Sequence, residues 1–114
     1  EYMLKINILG AEYTIEYLKR DDDPLFKKRI ADGYCDQSSR RIVLRTEDED
    51  DDIDNYSVYL KKNIRHEIVH AFLYESGIGG NFQHTQWGHE ETMVDWIAYQ
   101  FPKLLQAFKD ADCL

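Results

Sequence analysis

The spacing of apolar residues changes across one acidic segment, and that change most limits the folds open to this chain. Glu47-Asp48-Glu49-Asp50-Asp51-Asp52-Ile53-Asp54 carries seven acids and no base. Before it the pattern has the two-residue period of strands. Residues 2–9 alternate imperfectly, Tyr13, Ile15 and Tyr17 alternate with Glu12, Thr14 and Glu16, and Gly10-Ala11 between them is a tight turn. Asp21-Asp22-Asp23-Pro24 ends this hairpin, and Pro24 can open a short helix over residues 25–30. Gly33-Tyr34-Cys35-Asp36 and Arg41-Ile42-Val43-Leu44-Arg45 predict a second hairpin, its last strand rich in β-branched residues.

Beyond the acidic segment the period becomes helical. Leu60, Ile64, Ile68, Ala71, Phe72 and Glu75 recur at three- and four-residue steps, predicting a helix over about 55–76 that Asp54 or Asn55 can cap. Gly77, Gly79 and Gly80 stop it, and a loop through Asn81, His84 and Trp87 follows. Met93, Val94, Ile97, Ala98 and Phe101 predict a second helix over about 89–101, with Pro102 expected to break or kink it. Leu104, Leu105 and Phe108 then read as a last short turn of helix. The expected class is α+β: one domain over residues 1–114, with a small antiparallel sheet of three or four strands packed on two helices.

Charge and composition narrow the function classes. Without the acidic segment, 15 acids face 14 bases, so no basic face for nucleic acid is indicated. The segment reads as a solvated loop. It is no EF-hand, because counting from Asp50 the sixth and twelfth positions hold Asn55 and Lys61 instead of Gly and Glu. Fifteen aromatics among 114 residues suit a packed core, and no apolar stretch reads as a membrane span or signal peptide, so the expected location is cytoplasmic. Cys35 and Cys113 form no C-x-x-C pair and read as free thiols. Trp87 and Trp96 read as core anchors.

The predicted helix over 55–76 contains His66-Glu67-Ile68-Val69-His70, an HExxH motif. Side chains at i and i+4 share one helix face about 5–6 Å apart, so both imidazoles can reach one Zn²⁺. Glu67 lies beside that face, where its carboxylate can take a proton from a metal-activated water and pass it to a leaving amine. A catalytic zinc usually has three protein ligands, and the candidates for the third are His84, His89, Glu90 and Glu91.

HEIVH followed by Glu90-Glu91-Thr92-Met93-Val94-Asp95 resembles the gluzincin arrangement, an HExxH helix and a later helix bearing ExxxD. More narrowly it resembles the small zinc peptidases of phages and mobile elements related to the ImmA/IrrE group, and minimal single-domain gluzincins. That resemblance covers residues 60–102 and the hairpins in outline. It implies a minimal zincin-like domain, Glu91 as the third zinc ligand, and Asp95 as the carboxylate that holds a ligand imidazole. It also implies that Arg41–Arg45 is an edge strand to which an extended peptide adds, and that the substrate is a cytosolic protein such as a repressor. The metzincin continuation is not met, because its third histidine position is Ser76, and Glu90 stands beside Glu91 as the other register.

A donor to the developing oxyanion is also required, and His84, His89, Tyr74 and Tyr34 have suitable chemistry, with His84 in a glycine-flanked loop the leading candidate. The competing function is a catalytically idle zinc domain that binds a regulatory partner. No motif speaks to oligomeric state.

Overall fold

A computed structural model of the chain describes residues 3–28, 31–77 and 91–114, with the side chains of residues 91, 94, 95 and 98 excepted. Its elements are β1 (Met3–Ile8), β2 (Ala11–Leu18), a 3₁₀ turn (Arg20–Asp22), α1 (Pro24–Lys27), β3 (Gly33–Asp36), β4 (Arg41–Arg45), α2 (Tyr56–Glu75) and α3 (Glu91–Asp110).

β1 and β2 form the first antiparallel hairpin, with Ile8 opposite Ala11. The turn falls on Leu9-Gly10, one residue earlier than the sequence suggested. Both residues have positive φ, 52° and 93°, the condition of a type I′ turn whose twist matches the flanking strands. The Asn7 Oδ1 accepts the Gly10 N–H at 2.9 Å and fixes it.

β3 and β4 form the expected second hairpin, but the sheet is mixed, not antiparallel. Its order is β1-β2-β4-β3, and β4 runs parallel to β2. The two hairpins therefore join along a parallel seam, held by backbone bonds from Thr14 to Arg40 and from Thr46 to Leu18. Across it Arg41 donates to both carboxylate oxygens of Glu16, at 2.9 and 3.0 Å.

This order also overturns the expectation that Arg41–Arg45 is an edge. β4 is interior, and its uninterrupted Ile42-Val43-Leu44 run reflects burial on both faces. Ile42 and Leu44 join the main core. Val43 shares the other face with its cross-strand partner Tyr34, whose ring packs on buried Phe26 of α1. Asp23 caps α1 through the Leu25 N–H and also accepts the Tyr34 hydroxyl.

The acidic segment does more than stay wet. Arg45, only 2% exposed, donates to both oxygens of Asp51 and to Asp32, and sits over the Tyr56 ring. Asp48 accepts from Arg20 at 2.5 Å. Glu47, Glu49, Asp50, Asp52 and Asp54 remain exposed, as a solvated loop requires. The loop thus folds over a buried cation and hands the chain to α2, whose Asn55 cap accepts the Val58 N–H.

α2 ends at Gly77 (φ 89°), close to expectation. α3 departs from it, because Pro102 lies inside a continuous helix that runs to Asp110. Pro102 and both its neighbours are exposed, so water can satisfy the carbonyl that loses its donor, while buried Leu104 and Ala107 hold the following turns on the core. Both helices cover the sheet face that presents Ile6, Ile8, Tyr13, Ile15, Ile42 and Leu44. Trp96 packs against this core as expected and donates its indole N–H to Ser76; Trp87 lies outside the described residues. Among the described residues no helix is long and apolar enough to cross a membrane.

Candidate metal and base site

The middle of α2 presents the HExxH side chains as helix geometry requires. The Nε2 atoms of His66 and His70 stand 3.2 Å apart, with ring centroids separated by 4.8 Å. Two nitrogens held about 2.0–2.1 Å from one zinc at a near-tetrahedral angle would be about 3.3 Å apart, so the pair fits the ion without rearrangement. His66 is exposed and His70 is half-buried. Burial, and then the neighbouring His66, lower the His70 pKa and favour the neutral ring that a metal needs.

Glu67 lies on the sheet side of the same turn and is 7% exposed. Among the described residues no hydrogen bond or ion pair reaches its carboxylate. Loss of hydration pushes its pKa up to about 7. Its wall is the start of β3, where Gly33 brings no side chain; a Cβ there would lie 3.4 Å from the Glu67 Oε2. Just before Gly33, Asp32 accepts from Arg45 and from the Tyr59 hydroxyl, tying this end of β3 to α2. Among the described residues β3, not β4, is therefore the edge strand, and it passes Glu67.

Among the described residues no third His, Cys, Asp or Glu joins the two imidazoles. His84, His89 and Glu90, and the side chains of Glu91 and Asp95, lie outside the described residues; the backbone of Glu91 opens α3. Tyr34 is not available as an oxyanion donor, because it lies on the opposite face of the sheet with its hydroxyl given to Asp23. Tyr74, one turn beyond His70, continues the histidine stripe and stays eligible.

Cys35 shares the sheet face of Gly33, and burial followed by the nearby Glu67 pushes its thiol up to about 12. Burial likewise raises Cys113, to about 11. Neither is disulfide-bonded. Both are expected to resist a thiol-specific disulfide reagent at pH 8 in the folded protein and to react on unfolding, read as two thiols per chain appearing only with denaturant. Rapid labelling of Cys35 in the native state would contradict this.

One residue beside Glu67 was missed from sequence, Gly33; Asn63, a buried amide in the apolar stripe of α2 one turn before Glu67, was passed over as well. A polar residue four positions ahead of the motif's glutamate, amid Leu60, Ile64 and Ile68, was the available signal. Set against family models, curated proteins and solved structures, the chain matches none.

Proposed function

We propose that the chain is a zinc-dependent metallopeptidase of the minimal gluzincin type, acting on a peptide or protein substrate. The observation that carries this reading is the pairing of two imidazoles 3.2 Å apart with a buried carboxylate on the same helical turn that has no hydrogen-bond partner among the described residues. His66 and His70 would hold the ion, with Glu91 as the third ligand and Asp95 orienting an imidazole by the family resemblance. When bound, Zn²⁺ would supply Lewis acidity and lower the pKa of a coordinated water to about 7.

Glu67 is suited to the base because burial pushes its carboxyl up to about 7, toward the range in which one group both takes a proton and returns it. Gly33 packs closely against this turn: a Cβ there would stand 2.8 Å from the Leu44 Cδ1 and 3.4 Å from the Glu67 Oε2, so only glycine brings β3 this near the carboxylate. Among the described residues β3 has a neighbour on one side only, so an extended peptide could add there, beside the base. Cytoplasmic action on a phage or mobile-element repressor rests on the family resemblance alone.

Elemental analysis of wild type, His70→Ala and Glu91→Ala, with casein cleavage at pH 7.5, tests the proposal. One zinc per chain in wild type, weakened by at least about tenfold in affinity in each variant, with cleavage lost in parallel, is the expected result. A wild type that takes up no zinc on reconstitution would return the motif to an ordinary helix surface. Zinc uptake without cleavage of any unstructured substrate would favour the idle, partner-binding domain.

A further inference from the structure

We infer that Asp32-Gly33 is a latent modification site, at which the chain can convert itself to an isoaspartyl linkage, and that Tyr59 and Arg45 hold this site shut in the folded protein. The inference is independent of the peptidase reading.

The sequence contains one Asp-Gly step and no Asn-Gly step. A glycine after an aspartate has no Cβ to shield its amide nitrogen, and its backbone turns freely, so that nitrogen can reach the preceding carboxyl group. The Gly33 nitrogen then loses its proton and bonds to the Asp32 Cγ, which sheds an oxygen as water. The cyclic imide takes water back at the main-chain carbonyl carbon of Asp32, whose bond to the Gly33 nitrogen breaks. The chain now runs through the former side chain, the main-chain carboxyl is free, and no atom has been gained or lost overall.

The fold keeps the reactants together but restrains both. Arg45 donates its backbone N–H to the Asp32 carbonyl at 3.0 Å. Asp32 and Arg45 are therefore a hydrogen-bonded pair in the β3–β4 register, which turns the Gly33 N–H away from β4. The Asp32 side chain is 37% exposed, so water reaches it. Yet one carboxylate oxygen accepts from the Arg45 Nε at 3.1 Å, and the other accepts from the Tyr59 hydroxyl of α2. Despite burial, these bonds favour the ionised carboxylate, a poorer electrophile than the neutral acid. Gly33 has little room to turn, because a Cβ there would stand 2.8 Å from the Leu44 Cδ1 and 3.3 Å from the Val43 carbonyl oxygen. Conversion would add a carbon to the main chain here and misalign the start of β3 against α2.

The test ages the full chain at 37 °C and pH 7 and counts isoaspartate at residue 32 by peptide mapping, as a fragment of shifted retention and unchanged mass. Rates are corrected for each protein's unfolded fraction, taken from its urea curve. Folded wild type should convert at least about tenfold more slowly than the free peptide of residues 31–36, and Tyr59→Phe should convert about fivefold faster than wild type. Ile64→Val, which loosens the core side of α2 without removing a bond to Asp32, should keep the wild-type rate. Should Tyr59→Phe not fold, Arg45→Lys takes its place with the same expected rise, since one ammonium cannot hold both oxygens of Asp51 and also Asp32. A wild type that converts at the peptide's rate, a clamp variant that converts at the wild-type rate, or an equal rise in Ile64→Val would overturn the inference.

Discussion

Glu67→Gln is expected to lose about 10²- to 10⁴-fold of peptide hydrolysis while the metal-free protein becomes more stable at neutral pH. The first effect follows from removing the base, since an amide of the same shape cannot accept the proton. The second follows from the burial of the carboxylate. Its folded pKa, about 7, lies above the ordinary 4.5, so the folded chain keeps this proton longer than the unfolded chain does. Stability is therefore lost as pH rises from about 4.5 to 7, and the full cost persists above 7. A shift of this size corresponds to about 3 kcal/mol, which glutamine escapes. Chemical unfolding of both proteins in a chelator, at pH 4 and pH 8, measures it: the variant should gain on wild type only at the higher pH. An equal difference at both pH values would show that Glu67 is not held in an apolar setting.

Arg45→Met is expected to cost about 3 kcal/mol of stability. Breaking a buried ion pair leaves its partner's charge unsupported, here Asp51, whose side chain is 7% exposed. The lower end of the range for such pairs applies because the covering loop is thin and its neighbouring acids are exposed. Asp51 is held below the ordinary carboxylate range by its bonds to Arg45. Burial works against Asp32, yet its bonds from Tyr59 and Arg45 prevail and also hold it low. Depressed folded pKa values supply stability above about pH 4 that disappears as acid protonates these carboxylates. Wild type should thus lose stability below pH 4 more steeply than Arg45→Met, and the two should converge in acid. Urea midpoints from pH 2.5 to 7 would show this. Parallel curves would mean that Asp32 and Asp51 draw their stabilisation from elsewhere.

What could be read from the sequence was chiefly what is local. α2 was legible because its apolar residues keep a helical period and Asn55 and Gly77 mark its ends. The imidazole pair was legible because one helical turn alone sets their spacing. Arg45 was not, since a charged residue at a strand end reads as surface until Asp32 and Asp51 are known to close around it. The central place of β4 was written in Ile42-Val43-Leu44, but the family resemblance, with arginines at both ends of the run, suggested an exposed edge. Pro102 misled because a rule about isolated helices met one whose following turn is anchored by Leu104 and Ala107. Gly33 acquires its role only when β3 is laid against α2, a contact between segments about 30 residues apart.

The parallel seam between the two hairpins has a kinetic meaning. Each hairpin closes over a short loop, whereas β2 and β4 have no turn to guide them together and must find one another across the 3₁₀ turn, α1 and β3. α2 rests on β1, β3 and β4 and so straddles the seam. The histidine pair exists wherever that one helix exists, even in a partly folded chain. The dry surroundings that raise the Glu67 pKa need more than that helix, since they require β3 to be laid against α2.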